Sequence, residues 1–327
     1  MNTGKFVISL DFELMWGCRD TQTIEKYGDA ILGARAALEE ILYSFEQYDI
    51  KATFATVGFL FHQNRKDLLD NLPELKPSYT VENLSPYPNI ENYLGENETE
   101  HPYYFGYTLI QQIKKSKLHE LATHTYCHYY CLEPGQIIAQ FENDLKLAIM
   151  VAEKNDVTIN SIVFPKNQYN GDYVDICRKY GITSFRGSEK SRIYASSNSR
   201  EGRTTIKKAL RLIDTYINIT GYNCYRFDKI KESVPYNIPS SRFLRPYSEI
   251  LRFLEKLKFL RIKNAMTHAA KNNLVYHLWW HPHNFGRHRT ENIRFLEKIL
   301  KHYNFLNKKY AFQSITMKEL SHQLNSK

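Results

Sequence analysis

The chain predicts an α/β fold built on a parallel sheet, either doubly wound or closed into a barrel. Three observations carry this reading. Short β-branched and aromatic runs alternate with amphipathic helical stretches along most of the 327 residues. No glycine-rich phosphate loop follows any of these runs, which weakens the nucleotide-binding versions of the fold. The residues best suited to chemistry sit just beyond the strand runs, where α/β barrels carry their sites.

The first run, "KFVISLDFE", reads as a buried strand ending in acids. "GDAILGARAALEEILYSFEQYD" is an amphipathic helix, and "KATFATVGFLF" a strand entering a turn at Gly58. Residues 77–107 are rich in Pro, Asn, Glu and Tyr and read as a long surface excursion. "LHELATH" is a short strand, and "PGQIIAQFENDLKLAIMVAEKN" a helix with Pro134 and Gly135 at its start. "INSIVFP", "DYVDICRKYG" and "ITSFRG" continue as strand, helix and strand. Residues 188–270 break the rhythm with a basic, polar stretch and then the helical "YSEILRFLEKLKFLRIKNAMTHAAKN". "LVYHLWW" returns to strand, "TENIRFLEKILKHYNFL" to helix, and "YAFQSITMKELSHQL" closes with strand and helix. One domain over 1–327 is expected, elaborated at about 76–110 and 188–270.

Hydrophobic residues make up 43% of the chain, ample for a core. Tyr 24 and Phe 18 are high counts, suited to clefts that stack flat faces such as sugar rings. The formal charge of +9 favours an acidic partner: nucleic acid, an anionic lipid surface, or a phosphorylated or uronic sugar. Five cysteines without a regular framework argue for a reducing compartment. With no apolar segment of signal-peptide or membrane-span length, a cytoplasmic protein resting at most on a membrane surface is expected.

The strand ends hold the candidate site. Asp11 and Glu13 are two apart, so strand alternation turns both carboxylates toward one cavity while Phe12 points away. "HELATHTYCHYYC" offers His124 and His128 four apart, one helical turn, so both imidazoles can reach one metal. His119 lies earlier and reads as structural. A closed site of His124, Cys127, His128 and Cys131 is the rival, but Cys127 falls off the helical face of the other three, and both cysteines suit packing better. "FPKNQYNG" places Lys166, Asn167 and Gln168 in a loop that could line a pocket. "HLWWHPHNFG" brings His277, His281 and His283, with Pro282 ending the strand at His281 and Trp280 offering a stacking platform.

In this order the motifs resemble the polysaccharide deacetylase superfamily with its NodB-like homology domain. "SLDFE" looks like its first motif, "HTYCH" its His-x-x-x-His motif, and "LWWH" its late Leu-x-x-His. "KATFATVG" and "FQSITMKEL" resemble further family strands, and "FPKNQ" looks like the branch that builds surface polysaccharide and lipopolysaccharide. The resemblance implies a distorted (β/α)7-type barrel and removal of an acyl group from an N-acetylated amino sugar, which could be lipid- or nucleotide-linked. By position it implies Asp11 as general base, His281 as general acid, and Glu13, His124 and His128 as ligands of one divalent metal ion, zinc by ligand type. Lys166, Asn167, Gln168, Trp280 and His283 would bind substrate.

Three departures from the family pattern bear on these roles. Phe12 separates the two acids of the first motif. The third-motif Arg is not evident, so Lys166 stands in for it near Asp11. "SFRG" replaces an Asp-Trp motif, leaving no partner in view for His281. A metal-independent amidohydrolase of the same fold and a catalytically silent glycan-binding protein are the alternatives. No nucleic-acid partner is expected. The basic run Lys190, Arg192, Arg200, Arg203, Lys207, Lys208 and Arg211 reads either as a solvated loop or as a grip on a substrate phosphate.

Overall fold

The computed structural model describes residues 3–326 except 89, 196 and 199–203. β1 (Lys5–Phe12) is buried along its whole length, as expected of a strand covered on both faces. It lies between β2 (Ala52–Thr56) and β8 (Val275–Trp280), parallel to both. β3 (His119–Thr123), β4 (Ser161–Ile162) and β5 (Ser184–Phe185) continue the sheet outward from β2. β9 (Gln313–Ser314) pairs with the first two residues of β1.

Closure comes from within 188–270, where the sequence pattern showed no strand. β6 (Tyr236–Asn237) pairs with β5, and β7 (Arg242–Phe243) pairs with β8. The Tyr236 and Ile238 amides donate to the Thr183 and Phe185 carbonyls at 2.8 and 2.9 Å. Farther along, the Ser241 and Leu244 amides donate to the His277 and Trp279 carbonyls at 2.8 and 2.7 Å. One extended segment thus bridges β5 to β8 and closes a curled parallel barrel. Two-residue strands are too short to display an alternating pattern, which is why sequence reading passed over them.

Alternation along β1 decides what lies inside. Phe6, Ile8, Leu10 and Phe12 join the main core with Leu38, Ile41 and Phe45 of the helix Ile24–Gln47 and with Leu296, Ile299 and Leu300 of the helix Arg289–Tyr310. Full burial of such side chains is worth roughly 1.5–3 kcal/mol each. Val7 instead meets Ala55, Val163, Ile238 and Val275 in a second cluster inside the barrel. The C-terminal helix Met317–Asn325 plugs that interior with Met317, Leu320 and Leu324. Its start is fixed by a reciprocal Thr316–Glu319 capping box. Above the plug the interior turns polar: buried Glu120 accepts from Thr53 Oγ1 at 2.8 Å and from the Lys318 amide at 2.9 Å.

The excursion from 76 is more than surface. Tyr87, Ile90, Leu94, Tyr104 and Phe105 are buried, and Trp16 donates its indole N–H to the Tyr104 carbonyl at 2.8 Å while sitting edge-on to Tyr104 and Phe59. This aromatic packing braces the chain just after Glu13.

Candidate metal centre and catalytic groups

Glu13 follows β1 directly and is 4% exposed. A Cβ on Gly17 would fall 1.9 Å from the Glu13 carboxyl carbon, so the glycine makes room for this carboxylate. The histidines arrive from the end of β3, though not on a helix. Thr125 and His128 take left-handed φ of 64° and 62°, and the chain folds into a tight irregular loop. Buried Asp144 organises that loop by accepting from the Tyr126 and Cys127 amides at 2.6 and 3.1 Å. The Gly58 and Phe59 amides bind the Thr125 and Tyr126 carbonyls from below at 2.9 and 3.1 Å. The four-residue spacing therefore works through a loop, where helical periodicity had been expected.

The result is convergence. His124 Nε2 lies 3.2 Å and His128 Nε2 3.0 Å from the same Glu13 oxygen. His124 Nδ1 donates to the Val163 carbonyl at 2.7 Å, which leaves the Nε2 lone pair facing Glu13. Burial pushes His128 down to about 4, against the pull of Glu13, so its ring is neutral at physiological pH. Burial works against ionised Glu13, but the neighbouring histidines, His281 first, hold its carboxyl well below the usual range. Among the described residues, these three form the cluster able to hold a metal ion. The set fits a divalent ion of the zinc type: one carboxylate, two imidazoles with their Nε2 atoms toward it, and nitrogen–oxygen separations near the ligand–ligand edges of about 3.3 Å that a four-coordinate ion requires. Cys127 and Cys131 are each 1% exposed and packed in the core, outside the cluster.

Asp11, one strand position deeper on the same face, is held by a residue the sequence reading had not singled out. Arg186, from the end of β5, binds it in a fork: Nη1 to Oδ1 at 2.6 Å and Nη2 to Oδ2 at 2.8 Å. The guanidinium is fully buried, touching Ser9 Oγ at 3.0 Å and Asn167 Oδ1 at 3.1 Å and lying over the Trp279 ring at 4.1 Å. Burial would raise the Asp11 carboxyl, but Arg186 together with His124 and His281 brings the pKa below the usual carboxylate value. Lys166 does not have this role. Its ammonium pairs with Asp20 at 2.6 Å and sits 3.7 Å from the Tyr130 ring centre. The available sign was an Arg directly after a strand run in "SFRG".

His281 ends β8 with Nε2 at 3.7 Å from Asp11 Oδ2 and 3.6 Å from Glu13 Oε1. Its other nitrogen faces Asn284 Oδ1 at 3.2 Å, a partner supplied by its own turn. His283 stacks on His281 with ring centres 4.9 Å apart, and burial pushes it down to about 3. Its Nδ1 lies 3.9 Å from Glu13, beside the metal cluster. His277 lies deeper, with Nε2 at 2.8 Å from Ser9 Oγ, and supports the floor. His119 packs edge-on to Phe45 and Phe54, away from the site.

A cavity of about 360 Å³ opens beside His281. Trp279 lines it, whereas Trp280 is fully buried and stacks on Phe285 at 5.6 Å. The expected stacking platform thus belongs to the neighbouring tryptophan, because alternation turns Trp280 into the core. Lys166, Asn167 and Gln168 all contribute to the cavity wall. Gln168 is engaged there: its Nε2 donates to Glu133 at 2.7 Å and its oxygen accepts from the Leu132 amide at 3.0 Å. Of the basic run, Arg211 lines the cavity, while Arg200 and Arg203 lie outside the described residues.

No protein-family model and no curated protein matches the sequence. Solved structures do match the fold. A candidate polysaccharide deacetylase from Mycobacterium smegmatis aligns with 99% of this chain and 91% of its own, at a TM-score of 0.62 and 11% identity. A second protein described in similar terms, from Pseudomonas aeruginosa PAO1, aligns over 99% and 90% at a TM-score of 0.56 and 10% identity. Puue allantoinase aligns over 98% and 89% at a TM-score of 0.54 and 11% identity. At these identities the likeness is one of fold.

Proposed function

We propose that the protein is a metal-dependent hydrolase that removes the acyl group from an N-acetylated amino sugar. One observation carries the reading: Glu13, His124 and His128 converge on a point that Asp11 and His281 both face. Fold relatives described as polysaccharide deacetylases and as an allantoinase support hydrolysis of a C–N bond.

Glu13, His124 and His128 would hold one divalent ion, zinc by donor type. Such an ion supplies Lewis acidity toward an amide carbonyl and makes a nearby water more acidic. Asp11 takes the proton from the attacking water as a bond forms to the acyl carbon. Arg186 keeps that carboxylate ionised and aimed, with Oδ2 toward the site. His281 gives a proton from Nε2 to the amine nitrogen as the C–N bond breaks, while Asn284 orients the ring through Nδ1. The products are acetate and a free amino sugar. Trp279, half-buried in the cavity wall, supplies a flat apolar face for a pyranose ring.

We further place the enzyme in surface-polysaccharide or lipopolysaccharide precursor synthesis, in the cytoplasm. The unpaired state of its five cysteines is in keeping with a reducing compartment. No helix among the described residues is long and apolar enough to cross a membrane. The decisive experiment joins elemental analysis of purified protein to acetate release from N-acetylated amino sugars. About one divalent ion per chain and chelator-sensitive acetate release are expected. Metal-free protein with full activity would overturn metal dependence, and inactivity on every N-acylated sugar would overturn the function.

A further inference from the structure

We infer that the cavity beside His281 contains an oxyanion subsite formed by Arg211, Arg242 and Arg245, so that the sugar substrate carries a phosphate or carboxylate group. The inference rests on the proposed sugar hydrolase and narrows its substrate class.

The three arginines reach one cavity from separate parts of the chain: the helix Thr205–Tyr216, β7, and the segment just after β7. Continuing the register that pairs Arg242 with Leu278 and Phe243 with Trp279 sets Arg245 beside His281. Arg242 is 4% exposed. Its Nη1 pairs with Asp214, but its Nη2 is buried with no hydrogen-bond partner. A buried cationic donor left unsatisfied is costly and calls for an acceptor.

The protein's own acids do not answer that call. Asp214 is already shared among Arg242, Arg261 Nη2 at 3.5 Å, Tyr194 Oη at 3.0 Å, Thr220 Oγ1 at 2.8 Å and the amides of Ile219 and Thr220. Arg211 spends its Nε on the Ile193 carbonyl at 2.7 Å, and Arg245 directs its Nε to Thr215 Oγ1 at 3.4 Å. Among the described residues neither has a carboxylate within ion-pair distance. Glu189 is the acid in the cavity lining, and burial pushes its carboxyl toward the neutral form despite Arg242. Lys166, the other lining cation, is paired with Asp20. The cavity therefore carries surplus positive charge on planar forks that match oxyanions. Its Trp279 and Phe243 rings, 4.8 Å apart, supply the apolar wall a sugar needs.

Calorimetric titration of the intact protein would test this with three probes: N-acetylglucosamine, its 1-phosphate, and N-acetylglucosaminuronic acid. The anionic sugars should bind about tenfold or more tightly than the neutral one, with the advantage shrinking as salt rises. Arg211→Gln with Arg245→Gln should abolish the advantage and leave neutral-sugar binding unchanged, which also reports that the variant is folded. Inorganic phosphate should displace the anionic sugar from the wild-type protein, a check independent of any variant. A preference confined to the phosphate identifies a phosphosugar, and one shared by the uronic acid identifies a general oxyanion site. Equal affinity for charged and neutral sugars, or a preference that survives the double change, overturns the inference. Binding is read without turnover. Anion preference without acetate release would therefore sink the proposed function alone, whereas acetate release without anion preference would sink only the subsite.

Discussion

The two sides of the barrel mouth are built from different chemistry. The ends of β1 and β3 contribute Asp11, Glu13, His124 and His128, packed so closely that the ligand atoms lie about one hydrogen bond apart. β7 and the end of β8 contribute Arg242, Trp279 and His281, arranged around a cavity, and Arg186 at the end of β5 lies buried behind them. The first side concentrates lone pairs on a point that could hold a cation. The second offers guanidinium donors and aromatic faces, where we propose that a sugar and its anionic group bind. Arg186 spans the two, reaching from β5 to Asp11 on β1. On the proposed function the first side holds the metal and the base, while the second adds the general acid His281 to the groups that bind substrate, so substitutions on each side should fail in different ways.

The sharpest break lies on the metal side. His124→Ala, His128→Ala or Glu13→Gln should each lose the bound ion and reduce acetate release to background with the fold intact. Metal analysis and circular dichroism check this together, and full metal retention in the double histidine variant would remove the centre. Gly17→Ala should weaken metal binding without replacing a ligand residue, since its Cβ would displace the Glu13 carboxylate.

Next come the groups proposed to move protons. Asp11→Asn and His281→Ala should keep the ion yet slow turnover by roughly 10²–10⁴-fold. If Asp11→Asn instead loses the metal and Glu13→Gln keeps it, the roles of the two carboxylates are exchanged.

The residue joining the halves should show in stability as well as rate. Arg186→Gln strands a buried carboxylate and should cost about 3–5 kcal/mol, measured by urea unfolding. The sign with pH follows from the lowered Asp11 pKa. Its stabilising contribution is present above the unfolded carboxylate value and is lost as pH falls through the lower folded value. In the variant Asp11 should protonate at higher pH, so the acid limb of the rate profile should move upward. An unmoved limb would mean that Arg186 does not govern Asp11.

The adjacent tryptophans offer the smallest catalytic effect and the cleanest contrast. Trp279→Ala should raise KM for the sugar roughly 2- to 10-fold at unchanged kcat, the scale of a lost stacking contact. Trp280→Ala should leave KM alone and destabilise the fold by about 3–5 kcal/mol, as loss of a buried aromatic does. Reversed outcomes would place the platform on the wrong ring.

Much of this was legible from residues alone, because it depends on local periodicity. The β-branched run of β1 and the helical stretches after it show their burial in the order of their residues, and alternation alone puts Asp11 and Glu13 on one face. The histidines after β3 and at the end of β8 could be located as chemistry at strand ends. What tertiary structure decided is which distant groups meet. Lys166 and Arg186 both follow strands, and only the curl of the sheet sends Arg186 inward to Asp11 and Lys166 aside to Asp20. Trp279 and Trp280 are neighbours in composition and opposites in position, distinguished by the face each strand residue presents. Likewise β6 and β7, with two residues each, exist because β5 and β8 offer them unpaired backbone edges. A pattern in sequence records the faces of an element, while long-range partners are set by chain closure, which no local period encodes.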